Sequence, residues 1–144
     1  MSRPLAGAVL SALLLAAVPT AADAKTFRGR TNQGRPASLI TDANGVPTRI
    51  RVAWRAPCKK PGFRARDSTG FSPPFDLVNA DAVNDAGTYR LRFRGGLRAR
   101  ITGTLTARRA GERWTGTYAV RAVYSRRGKV THVCQVQRIR WSVR

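Results

Sequence analysis

Arginine supplies most of the chemistry this sequence can offer. The 144 residues hold 23 Arg and 4 Lys against 7 acids, a formal net charge of +20. A guanidinium is permanently charged and presents a planar fork of donors that fits carboxylates and phosphates. The spacing matters as much as the number. Arg90, Arg92 and Arg94 interleave with Tyr89, Leu91 and Phe93, and Arg98 and Arg100 continue the pattern beyond Gly95-Gly96. Arg49 and Arg51 are also two apart, as are Arg138 and Arg140. Period two places such residues on one face of a strand, about 6.6 Å apart, as a rail of charge. A rail of this kind attracts polyanions: nucleic acid, anionic cell-wall polymers, acidic glycans or acidic lipid headgroups. Contacts to repeating charges position a protein without reading bases, so sequence-specific DNA binding is not expected. The competing reading is a merely solvated sheet exterior. Genome composition then explains Arg over Lys, but not the scarcity of acids, because unbalanced charge costs self-repulsion.

Catalytic chemistry has little to work with. His132 is the only histidine, and a catalytic base needs a nucleophile and an orienting acid beside it, which the sequence does not offer. Asp76, Asp81 and Asp85 fit no calcium-loop spacing, and Asn79, Asn84 and Gly87 around them read as turn residues. Two thiols and one histidine do not complete a zinc site. Trp54 and Trp141 match the apolar parity of their segments and read as core. Trp114 follows a turn and reads as half-exposed, a platform on which sugars or bases could stack. No catalytic, metal or cofactor site is expected.

These side chains must be positioned by strands. Arg3, the apolar run from Leu5 to Val18 and the small-x-small Ala22-Asp23-Ala24 read as a secretory signal peptide cleaved after Ala24, with no membrane span left behind. What remains, residues 25–144, is 144 − 24 = 120 residues, enough for one domain. In an exported chain the pair Cys58 and Cys134 reads as a disulfide. Strands are expected over Thr26–Arg30 and Ala37–Thr41, then, after an Asn44-Gly45 hairpin, from Val46 until Pro57 ends the third, with Cys58 at its exit. On that third strand Val46, Thr48, Ile50, Val52 and Trp54 share one face, with Arg49, Arg51 and Arg55 on the other. Residues 59–87 read as irregular, with Phe71, Phe75, Leu77 and Val78 packed on the core and a short strand near Phe75–Val78. Asp81, Asn84, Asp85 and Gly87 mark a loop.

From Thr88 a four-strand meander follows. Its expected register puts Leu91 opposite Ala99, Leu105 opposite Gly116 and Val120 opposite Cys134, with turns at Gly95-Gly96, Ala110-Gly111 and Arg126-Arg127-Gly128. It turns Cys134 inward, sets His132 inward opposite Ala122, and requires a β-bulge near Gln137-Arg138. The fold class is therefore all-β: roughly seven or eight antiparallel strands in a small barrel or two-layer sandwich, the meander favouring a barrel.

Phe27-x-Gly29-x-Thr31, Asn44-Gly45, Cys58, Cys134 and Trp141 together resemble a group of small exported two-cysteine all-β proteins of high-GC Gram-positive bacteria. The resemblance implies fold and export and carries no assigned activity. The sequence thus predicts a secreted, non-catalytic domain held at an anionic surface or polymer. The alternative is a barrel that binds a small apolar ligand or glycan inside.

Overall fold

In a computed structural model, which describes residues 23–144, nine strands form one antiparallel sheet. The leader read over residues 1–24 lies outside the described residues except for Asp23 and Ala24, which are exposed. The strands are β1 (Lys25–Thr31), β2 (Pro36–Thr41), β3 (Pro47–Pro57), β4 (Arg64–Phe71), β5 (Leu77–Val78), β6 (Ala82–Arg92), β7 (Leu97–Ala110), β8 (Arg113–Arg126) and β9 (Lys129–Val143). Their order across the sheet is β4-β3-β2-β1-β9-β8-β7-β6-β5. Two up-and-down meanders are thus joined where the first strand meets the last.

The two edges, β4 and β5, are consecutive in the chain, and only residues 72–76 separate them. The sheet must coil to bring them together, and β3 packs across the interior onto β8 and β9. No backbone ladder joins the edges, so the sheet is coiled but not closed. Side chains span the seam instead. Tyr89 on β6 donates to Asp67 Oδ2 on β4 at 2.8 Å and lies 3.1 Å from the Thr69 hydroxyl.

Alternation decides which side chains fill the interior. On β7 the residues Ala99, Ile101, Leu105 and Ala107 are buried, while Arg98, Arg100, Thr102, Thr104, Thr106 and Arg108 face water. Trp54, Trp114, Tyr118 and Phe27 are the largest wholly buried side chains. Burying such apolar area at about 25 cal/mol per Å2 is the main favourable term in folding. Glycine permits several close approaches. A Cβ on Gly29 would strike the Ser142 carbonyl, so only glycine lets β1 lie against β9 here. A Cβ on Gly103 would strike the Tyr118 ring.

The disulfide expected between Cys58 and Cys134 is present. Lys59 N donates to Val133 O beside it, so the exit of β3 is pinned to β9. Asn44-Gly45 makes the β2–β3 turn, capped by the Asp42 carboxylate accepting from the amides of Asn44 and Val46. A bulge at Ile40/Thr41 shifts the pairing there, so Pro47 is buried and Val46 and Thr48 only partly so.

Several expectations need correction. Residues 64–71 are a full strand, paired with β3 from Ile50–Phe71 to Pro57–Arg64. Asn84, Asp85 and Gly87 lie within β6, paired with Thr106, Leu105 and Gly103; partnership with β7 overrides their turn preference. Leu77 and Val78 are 45% and 39% exposed and do not pack on the core. The β7–β8 turn sits at Gly111-Glu112, so Leu105 faces Tyr118 and Gly116 faces Ala107. Arg126 pairs with Lys129, so the β8–β9 turn is Arg127-Gly128, and with a bulge at Thr131 this puts Ala122 opposite Cys134 and Tyr124 opposite His132. The bulge expected at Gln137-Arg138 is there, with both residues opposite Ala119.

Candidate anion-binding surface

The β6–β7 hairpin carries the densest charge. Leu91 pairs with Ala99 as expected, which sets Arg90 directly opposite Arg100 and Arg92 directly opposite Arg98. All four are exposed, as is Arg94 in the turn. Directly opposed residues of two strands bring their Cβ atoms to about 4.5–5.5 Å, and like charges there repel. Among the described residues the one ion pair is Lys25–Glu112; Glu112 lies in the β7–β8 turn, at the other end of β7 from the Gly95-Gly96 turn, and both side chains are solvent-exposed.

The remaining rail residues stand elsewhere. Arg49 and Arg51 are exposed on β3, with Arg51 between Ser38 and Gly70. Arg138 is exposed in the β9 bulge, and Arg140 is exposed opposite Thr117. Two strands, β2 and β1, separate the β3 pair from β9, and β8 separates β9 from β7. The outer face therefore bears three arginine patches.

Between the patches lie hollows that the sequence does not reveal. One, of about 640 Å3, opens on the outside of β1, β9, β8 and β7. Arg30, Arg108 and Arg140 rim it, with the hydroxyls of Thr115, Thr117 and Ser142 between them. Arg30 pairs with Ser142, Ser142 with Thr115, and Thr115 with Arg108, one continuous row across four strands. A second hollow of about 440 Å3 is rimmed by Arg28, Arg35 and Arg51. Arg30 and Arg108 escape a reading by local alternation because the row exists only once β1 meets β9.

The inner face holds a connected polar chain. Trp54 Nε1 donates to Thr69 Oγ1 at 2.9 Å, and the Tyr118 hydroxyl lies 2.7 Å from the same oxygen. Because Tyr89 gives its proton to Asp67, Thr69 donates to Tyr89 and accepts from Trp54 and Tyr118. Every member is then satisfied, which is the condition for a buried polar network to stabilise. Burial pushes the Tyr118 hydroxyl up to about 12, opposed by its bond to Thr69 and reinforced by the Asp67 charge. Burial raises Tyr89 further. These phenols stay protonated and serve as structure.

His132 is half-buried and stacks on Phe63, ring centroids 4.3 Å apart. No hydrogen bond among the described residues joins it to Asp76, Asp81 or Asp85; Asp76 and Asp81 are exposed and Asp85 Oδ1 accepts from the next amide. Trp54 and Trp141 are core, as read. Trp114 is wholly buried rather than half-exposed: it stands on the inward parity of β8 that Tyr118 and Val120 share, opposite Arg109 and Val143. It offers no stacking platform. No three His, Cys, Asp or Glu side chains gather into a metal site among the described residues.

The disulfide is compatible with an extracellular protein, and no helix among the described residues is long and apolar enough to cross a membrane. Compared with known proteins, the chain matches no family model, no curated protein and no solved structure.

Proposed function

We propose that this is an exported, non-catalytic β-sheet protein that holds an anionic polymer or surface by electrostatics. One observation carries the reading. On the β6–β7 hairpin Arg90 faces Arg100 and Arg92 faces Arg98, exposed and without acid partners. Each opposed like pair costs a few tenths to about 1 kcal/mol. An anionic chain laid along the hairpin removes that cost and releases its own condensed counterions. Nucleic acid, cell-wall polymer and acidic glycan all present such charge, and the rail does not choose among them by base contacts. Arg49, Arg51, Arg138 and Arg140 extend the field around the sheet and steer the polymer in. A ligand held inside, as in wider barrels, finds no support in an inner face filled by Trp54, Trp114 and Tyr118.

The test is binding across a salt series to duplex DNA and to purified anionic wall polymer. For six to ten contacted charges on duplex DNA, affinity falls by about three to five decades between 50 and 200 mM salt. Replacing Arg90, Arg92 and Arg94 together by Gln flattens the slope while circular dichroism stays unchanged. Salt-insensitive binding, or an unaltered slope in the triple variant, refutes the proposal. Export is tested separately by sequencing the secreted protein's N-terminus, expected at Lys25.

A further inference from the structure

Away from the hairpin, four arginines close on one hollow. Arg35, at the start of the first meander's second arm, Arg55 on β3, and Arg64 and Arg66 on β4 line a space of about 470 Å3, and no other residue lines it. Arg55 and Arg66 are directly opposed across the β3–β4 ladder, and Arg64 faces Pro57 one step further along the same side. Arg35 is half-buried, and its Nε is shut off from solvent with no acceptor among the described residues. A buried donor without a partner is uncommon in a native fold and asks for an explanation. Asp67, the acid nearest in sequence, turns to the inner face and accepts from Tyr89.

The surroundings hold these groups in place. Thr31 Oγ1 accepts from the amides of Gln33 and Arg35, and Thr31 N donates to Arg35 O. This fixes the turn from which Arg35 projects. Beyond the end of β2, the Gln33 side chain takes the place of a strand: its Nε2 donates to Arg55 O at 2.7 Å, and its Oε1 accepts from Arg55 N at 2.8 Å. The backbone that carries Arg55 is therefore braced on both sides, by Gln33 and by β4. Four charges converge on a rigid frame, with one guanidinium donor already desolvated.

We propose that this hollow is a discrete binding site for linked phosphate groups, separate from the polymer rail. Four guanidinium forks offer charge and donors for the several anionic oxygens of two linked phosphates. A lone carboxylate would leave most of those donors unused. The phosphates could belong to a free inorganic diphosphate or to a nucleoside diphosphate. The shared chemistry is the diphosphate unit, and the two sources are told apart by comparing affinities.

The experiment is isothermal titration of the intact protein with pyrophosphate, adenosine diphosphate, inorganic phosphate and sulfate in 150 mM salt, with two-dimensional NMR of the arginine Nε–H groups. One saturable site is expected, with pyrophosphate bound at least about tenfold more tightly than phosphate or sulfate, and with the Arg35 Nε–H signal shifting on binding. Equal affinity for pyrophosphate and the nucleotide identifies the diphosphate alone as the ligand; tighter nucleotide binding identifies the nucleoside source. Arg55→Gln and Arg66→Gln should each weaken pyrophosphate by about tenfold or more, since each removes charge-assisted hydrogen bonds. The triple substitution of Arg90, Arg92 and Arg94 should leave this affinity within about twofold, so failure of the rail and failure of this site are read independently. Thermal unfolding of each variant confirms that the fold is intact. Non-saturating heats, equal affinity for all four anions, a stationary Arg35 signal, or loss of binding in the rail variant instead of the Arg55 and Arg66 variants overturns the proposal.

Discussion

Replacing Thr69 by Val tests whether the polar seam holds the open sheet together. The substitution keeps the shape and removes one hydroxyl that accepts from Trp54 Nε1 and Tyr118 and gives its proton to Tyr89. Thr69 is 5% exposed, and Trp54 and Tyr118 are wholly buried. Two buried donors therefore lose their acceptor and no water replaces it. Each unsatisfied donor costs about 1–3 kcal/mol, while swapping the hydroxyl for a methyl returns about 0.8 kcal/mol. Tyr89 keeps its bond to Asp67 and adds little. The expected net loss is about 1–5 kcal/mol, a large share of the roughly 5–15 kcal/mol of a typical domain. Chemical denaturation followed by tryptophan fluorescence, with the disulfide intact, measures it. Thr69→Ser is the control: it keeps the hydroxyl, removes one methyl, and should cost only about 1 kcal/mol. A Val variant as stable as the parent, or a Ser variant that loses as much as Val, would show that the hydroxyl chain is not what holds the seam.

Alkaline pH should loosen the fold. Tyr118 has its folded pKa raised to about 12 from 10.0, and burial raises Tyr89 and Tyr124 as well. Between pH 10 and 12 the unfolded chain has lost protons that the folded one keeps, so stability present below pH 10 falls as pH rises, by on the order of 3 kcal/mol from Tyr118. Absorbance of tyrosinate near 295 nm against pH, in native and denaturing solvent, checks this. Reducing the Cys58–Cys134 bond, which spans 76 residue positions, should cost about 4 kcal/mol on chain-entropy grounds; urea midpoints with and without reductant give the value. Arg100→Glu, facing Arg90, should stabilise by up to about 1 kcal/mol at low salt, and the gain should vanish near 1 M salt, where the Debye length is about 3 Å.

Local alternation made much of this fold readable. Val52, Trp54, Ala99, Ile101 and Cys134 are buried as parity requires, with Arg49, Arg51, Arg98 and Arg100 outside. The β7–β8 register read from the sequence is two residues off, yet the faces are right, because a shift of two preserves the side on which every residue lies. Strand β4 escaped notice since Arg64, Arg66, Asp67, Ser68 and Gly70 give it almost no apolar period; as an edge strand it buries only Ala65, Thr69 and Phe71. The hollows escaped for a related reason. Arg30, Arg108 and Arg140 meet through the β1–β9 pairing, and Arg35, Arg55, Arg64 and Arg66 meet through β4. Long-range pairing is what a short-period pattern cannot carry.

The meeting of β1 and β9 also sets how the molecule answers to force. Arg28 and Arg144 exchange both backbone hydrogen bonds, and the ladder continues inward through Gly29–Val143 to Thr31–Trp141. The two strands run in opposite directions, so a pull on residues 28 and 144 loads one end of the ladder alone. Its bonds part in succession, as a zipper does, and the tension needed at each step is small. Unravelling then runs along the chain from both sides until it reaches Cys58 and Cys134. There the covalent bridge takes the load, and the segment between them feels none of it. The whole β6–β7 hairpin lies in that shielded segment, so a polymer gripped there stays gripped while the outer strands stretch.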